Sequence, residues 1–178
     1  MTVQLLANAI LIVLLLAWVG YRQLTWRPVA VSRLWRFPAV LAAVGAIVLV
    51  QEAKPVPLTP LDLAAIAGEL LLSLAVGAWM GRIAAFRPLP EPIRMGPDGR
   101  DVAVYESRTG GWGLALWIVV IAVRVGVDLL ASAAGSHLVA STGVIFLLFA
   151  ANRAARAAVS VARLDRHAAV ASGRSDAA

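Results

Sequence analysis

Cysteine is absent from these 178 residues, which excludes disulfides, thiolate catalysis and cysteine metal sites. Histidine is nearly absent: His137 and His167 are the only two, and no H-E-x-x-H or similar metal motif can be written around them. Lysine occurs once, at Lys54, so the sixteen cations are otherwise all arginine, set against ten acids. There is no glycine-rich phosphate loop, no G-x-S-x-G turn and no Ser/His/Asp arrangement that would mark a nucleophile and its base. Charge itself is scarce at 15%, and it is missing altogether from Met1 to Tyr21 and from Leu129 to Asn152.

What fills the space is apolar. The hydrophobic set makes up 61% of the chain, against roughly 45 to 50% in an ordinary globular domain. An ordinary soluble fold is excluded, and the uncharged runs read as membrane spans. The net charge of +6 then speaks to orientation in a bilayer, and no nucleic-acid partner is expected.

A span needs about 20 mainly apolar residues. Five segments qualify: 3–21, 34–50, 63–81, 112–134 and 138–159. The fold class expected is therefore all-α, a polytopic transmembrane bundle of five spans. The second segment is the short one, and it reaches full length only if Leu34 and Trp35 join it while Arg36 snorkels to the headgroups. The first segment has no basic stretch before its apolar core, and its small-residue triplet Ala7-Asn8-Ala9 precedes that core, so it is expected to be a permanent span rather than a cleaved signal.

Fourteen of the sixteen cations fall on alternate connections: Arg22 to Arg36, Arg82 to Arg108, and Arg153 onward. If all five segments cross, the positive-inside rule places every basic connection in the cytoplasm, with the N-terminus outside and the C-terminus inside. The tryptophans Trp18, Trp26, Trp35, Trp79, Trp112 and Trp117 gather at or near the same ends, as interface residues do. The basic connections and tail are expected to meet anionic lipid headgroups.

The loop 82–111 opens with Pro88-Leu89-Pro90-Glu91-Pro92, expected to be extended. It continues through the turn signal Pro97-Asp98-Gly99 into Val102-Ala103-Val104-Tyr105, which alternates as a short strand. A small cytoplasmic β-hairpin follows. Two strands are marginal alone, so it should rest on the first Arg/Trp-rich loop or on a partner. Beyond the fifth span, Arg153, Arg156, Ser160, Arg163 and His167 recur at three- and four-residue steps. They give segment 160–178 the look of a basic amphipathic helix end, lying on headgroups and closing in a disordered tail from Ser172.

Three ionisable residues lie inside expected spans: Glu69 in the third, Arg124 and Asp128 in the fourth. Each costs on the order of 2.5 to 3.5 kcal/mol at mid-membrane unless paired or hydrated. A rise of about 1.5 Å per residue puts Glu69 roughly 10 Å below Asp62 and Asp128 roughly 9 Å below Ala134, hence at one level. Arg124, four residues before Asp128, shares its face. The three should form a buried cluster of net charge minus one, either a helix-locking salt bridge or a proton, ion or substrate site. His137 falls in the turn between the fourth and fifth spans and His167 near headgroups. Neither has a second ligand in sequence, and no cofactor or metal is expected.

Several stretches resemble the CcdC-like family of small bacterial integral membrane proteins, which is associated by name with cytochrome c biogenesis. They are Arg27-Pro28-Val29 with Arg33-Leu34-Trp35-Arg36-Phe37-Pro38, Gly77 to Gly81, Asp98-Gly99 through Tyr105-Glu106-Ser107, and Ile121-Ala122-Val123-Arg124. The resemblance implies a bacterial plasma-membrane protein without a demonstrated activity. The expected function is non-enzymatic, assisting or scaffolding a membrane complex, with other membrane proteins or a second copy as partners. The alternative is a small proton- or ion-coupled transporter or channel component using Glu69, Arg124 and Asp128.

Overall fold

The computed structural model describes residues 20–53, 59–96, 98–133 and 141–175, together with residues 10, 14, 17 and 18. Most of the first expected span, Lys54 and the turn that holds His137 lie outside the described residues. Residues 20–24 are helical and lead into strand β1 (Arg27–Val29). Then follow the short helix α1 (Val31–Leu34), helices α2 (Arg36–Ala53) and α3 (Pro60–Ile83), strands β2 (Ala85–Met95) and β3 (Asp101–Arg108), and helices α4 (Gly110–Ala133) and α5 (Thr142–Ser175).

Among the described residues, four stretches of helix are long and apolar enough to cross a membrane: Val31–Glu52, Pro60–Ile83, Gly110–Leu130 and Thr142–Arg166. The short second segment, expected over 34–50, belongs to a longer stretch: α1 abuts α2 across Trp35 and brings it to 22 residues, about 33 Å at 1.5 Å per residue. Pro38 sits in the first turn of α2, where its missing N–H costs nothing. At the other end of the bundle, α3 starts on a capping box: the Asp62 amide donates to Thr59 Oγ1 at 3.2 Å, and the Thr59 amide donates to Asp62 Oδ2 at 3.0 Å.

Helix α5 is the central strut, packed against α2 on one side and α3 on the other. Glycine makes both contacts close. A Cβ on Gly143 would run into the Leu49 backbone, and one on Gly77 into the Asn152 carbonyl, while Gly81 lies against Arg156 O and Val159. Gly77 and Gly81 together form the small-x-x-x-small stripe by which helices approach in lipid, where burial from water cannot drive them together. Asn152 completes the α3 contact by donating from Nδ2 to Ser73 O at 3.0 Å. Helix α4 is held differently: it leans on α3 and meets α5 through the tilted Trp117–Phe149 ring contact, centroids 5.5 Å apart. Trp117 is thus turned inward, where an interfacial place was expected.

The hairpin is a three-stranded sheet in the order β1-β3-β2, antiparallel throughout. The first connection supplies the third strand, Val29 pairing with Tyr105 and Arg27 with Ser107. The turn between β2 and β3 bends at Gly96 and Gly99, with φ of +89° and +60°, where a side chain would be strained. Prolines 88, 90 and 92 cannot donate to the ladder, so the register slips between Pro88 and Ile93 on what is an edge strand. Ala103 and Asp101 face the helices, fully buried or nearly so, while Val102 and Val104 face outward.

Three arginines expected at the headgroups have protein partners. Arg36 and Arg33 both pair with the buried carboxylate of Asp101 at 3.3 Å, which also accepts from Ser32 Oγ at 2.5 Å. Arg163 reaches across to the end of α3, where Nη1 donates to the carbonyls of Gly81, Arg82 and Ala84 at 2.9, 2.6 and 2.7 Å. The last carbonyls of a helix lack intrahelical donors, and a guanidinium there satisfies them and the helix dipole together. The polar face of α5 is accordingly turned toward the sheet and the other helices over Arg156 to Arg163, with Ser160 6% exposed, rather than outward. The helix also continues to Ser175, past the point where a disordered tail was expected.

Substituting Gly77→Val should lower thermal stability in detergent by about 1 to 3 kcal/mol or prevent folding, because backbone of α5 blocks the new side chain. Gly68→Ala, on the same helix but with nothing within 4 Å, should change it by less than about 0.5 kcal/mol. Equal melting curves for the two would contradict the glycine contact.

Candidate functional site

The structure brings Glu69, Arg124 and Asp128 together. Glu69 lies on α3, 6% exposed, and accepts from Arg124 Nη1 of α4 through Oε2. Arg124 Nη2 reaches Asp128 Oδ1 at 3.0 Å, one turn along its own helix. The two nitrogens of one guanidinium therefore serve two carboxylates on two helices, a use of arginine's planar fork that lysine could not repeat. Side-chain exposures of 6%, 18% and 29% for Glu69, Arg124 and Asp128 run outward from α3, so the glutamate is the deepest of the three.

The second oxygen of Glu69, Oε1, is buried and accepts no hydrogen bond from the protein. Glu69 is one of the residues lining a cavity of about 180 Å³ between α3, α4 and α5. Leu72, Met80, Val120, Ile145 and Leu148 make most of the wall apolar, and Ser73 and Asn152 bring the α3–α5 hydrogen bond to its edge. The cavity exists because α4 is splayed from α5: Trp117 and Phe149 hold the two helices apart at one end while the Arg124–Glu69 pair draws α4 to α3 at the other. An acid group thus faces a small, largely apolar chamber, a setting in which a partnerless carboxylate oxygen is costly unless a proton, a water or a cation sits against it.

Sequence reasoning missed the second acid that joins two helices. Glu52, at the end of α2, accepts from the backbone amides of Thr142 and Gly143 at 3.2 and 2.9 Å, capping α5 from outside. A carboxylate at a helix N-terminus meets unpaired N–H groups and the positive end of the dipole. The available signal was the Ser141-Thr142-Gly143 run, a helix start without an acid of its own. The side chain of His167 and all of His137 lie outside the described side chains and residues.

Replacing Arg124 by Leu should strand two acids and cost about 3 to 5 kcal/mol, read as lost folded yield and a lowered unfolding midpoint in mild detergent. Adding Glu69→Gln and Asp128→Asn to that variant should recover most of the loss, since no charge then remains unpaired. Unchanged yield in the single variant would show that the pair does not hold α4.

Compared with known protein families, with characterised proteins and with solved structures, the chain shows no match, so its activity has to be read from the chemistry of its own residues.

Proposed function

We propose that this chain is a small integral protein of the bacterial plasma membrane that passes a proton or a small cation through the Glu69, Arg124, Asp128 cluster. The observation that carries this reading is Glu69, whose Oε1 is deeply buried with no protein donor and which lines a cavity between three helices. Two carboxylates share one guanidinium, so the fully ionised cluster keeps one negative charge for a proton or cation to neutralise. Arg124 is the positioning residue: it holds both acids and leaves one oxygen of Glu69 without a donor. Asp128, the more exposed acid, is the exchange point with the surroundings, and Glu69 is the inner one.

The orientation belongs to the same proposal. The described arginines other than Arg124 cluster at the sheet end of the bundle, whereas the opposite helix ends carry Glu52 and Asp62. We place the sheet and C-terminus in the cytoplasm, the N-terminus outside, and the chain among CcdC-like proteins.

A second reading, assistance to another membrane complex, is favoured by the outer face of the sheet, where Val102 and Val104 of β3 are each 47% exposed. The two readings separate in one preparation. Proteoliposomes with an internal pH dye and a potassium diffusion potential should acidify or alkalinise faster than protein-free vesicles, and Glu69→Gln and Asp128→Asn should return the rate to the protein-free value. Flux indistinguishable from empty vesicles would overturn translocation, and a partner co-isolated in mild detergent would then speak for assembly.

A further inference from the structure

Where the sheet meets the helix ends, a second cavity of about 310 Å³ gathers positive charge without an acid. Arg22 enters it from the N-terminal helical segment, and Arg153 and Arg156 enter from α5. The three lie close enough to act on one another electrostatically, Arg22 on Arg153 and Arg153 on Arg156. None of them makes an ion pair with a carboxylate among the described residues. The nearby acids are already engaged: Asp101 holds Arg33 and Arg36, and Glu106 holds Arg87 at 2.5 Å. What the three have instead are neutral partners. Arg156 donates to Thr109 Oγ1 at 2.6 Å, Arg153 lies over the Phe37 ring at 5.8 Å, and Arg22 over Trp18 at 4.6 Å.

Three guanidiniums drawn together at an apolar boundary repel one another, and the half-buried Arg156 among them also gives up hydration, so the fold holds them there at a cost that an anion would lower. The rest of the lining matches one kind of anion. Ser107 and Ser160 bring hydroxyls to the basic side, while Leu34, Phe37, Pro38 and Phe86 form an apolar wall opposite. The volume is about ten times a water's share of the liquid, enough for a phosphate carrying an ester substituent. Arginine's planar fork suits phosphate oxygens bidentately. We infer that this cavity is a phosphate-binding site, formed by Arg22, Arg153 and Arg156 beneath the sheet and accepting the phosphate of a lipid headgroup or of a soluble phosphate ester.

The site is separate from the Glu69 cluster, and neither reading depends on the other. The test uses the full chain purified in neutral detergent. In one arm, inorganic phosphate and glycerol 3-phosphate are titrated while the thermal unfolding midpoint is followed. In the other, the protein is taken from nanodiscs of mixed phosphatidylglycerol and phosphatidylcholine, and retained lipid is weighed by native mass spectrometry. A midpoint raised by the soluble phosphates identifies a soluble ligand, and selective retention of phosphatidylglycerol identifies a lipid. Arg153→Gln with Arg156→Gln should weaken whichever binds by about tenfold or more, whereas Arg100→Gln, on the hairpin turn, should leave it unchanged. Because the double variant also loses the Thr109 bond, Ser107→Glu serves as the second probe: its carboxylate takes the anion's place, so the protein should fold and fail to bind. A wild-type chain that binds neither phosphate nor phosphatidylglycerol overturns the proposal, as does binding that survives both variants.

Discussion

Arg124 is the residue on which the arrangement of this molecule turns. Helices α2, α3 and α5 approach closely through glycine, and neutral or capping hydrogen bonds from Asn152 and Arg163 and to Glu52 support the packing. Helix α4 meets α3 and α5 without such a glycine: Gly126 meets nothing within 4 Å, and the tight glycine of α4, Gly113, lies against Gln23 of the N-terminal helical segment. Its polar attachment to α3 among the described residues is the guanidinium reaching Glu69, with Asp128 one turn along steadying that guanidinium. In water an exposed ion pair of this sort contributes little, because solvent competes for both partners. In an apolar surrounding the alternative to pairing is an unpaired charge, and the same contact becomes the strongest constraint on where α4 can lie. The cavity beside Glu69 follows directly, since a helix pinned at one point and propped by Trp117 against Phe149 leaves a wedge between.

Much of this was legible in the linear chain. Uncharged length located the helices, and the one-turn spacing of Arg124 and Asp128, combined with the depth of Glu69, brought the cluster together before any coordinates. The turn at Gly96 to Gly99 and the strand after Asp101 were local signals that local chemistry obeyed. What stayed hidden were pairings across long separations. Arginines at 36 and 163 look alike in a hydropathy profile, yet one binds Asp101 and the other closes the end of α3. Only the crossing of α3 with α5 decides that, and the crossing is set by Gly77 and Gly81, whose lack of a side chain leaves no hydropathic trace. The partner of Trp117 was hidden for a similar reason: seven residues into α4 it falls near the interface by count, and only the approach of α5 gives its ring Phe149 as a neighbour.

The two ends of the bundle are built on opposite electrostatic plans. At the sheet end arginines outnumber acids, and they are shared among a buried aspartate, helix carbonyls, aromatic faces and a cavity with no acid of its own. Trp26, for example, lies under both Arg87 and Arg108, at 4.3 and 5.2 Å from the two guanidinium carbons. At the far end carboxylates close the helices, Asp62 within its own capping box and Glu52 across to α5. Positive charge toward one side and helix-capping acids toward the other give the bundle a polarity that a bilayer with an anionic inner surface would read as orientation.

The strand order carries a consequence for how the molecule is assembled. Strand β1 pairs with β3 and not with the nearer β2, so Arg27 waits for Ser107. At ribosomal speeds of about 5 to 20 residues per second, the gap between those two positions corresponds to roughly 4 to 16 s of synthesis. During that interval two hydrophobic helices must leave the ribosome and be lodged while the first connection is still without its hydrogen-bonding mate. The sheet is thus a late clasp, closed only after the segments it ties have been delivered, and its closing delivers α4 into place through the single residue, Thr109, that separates β3 from that helix.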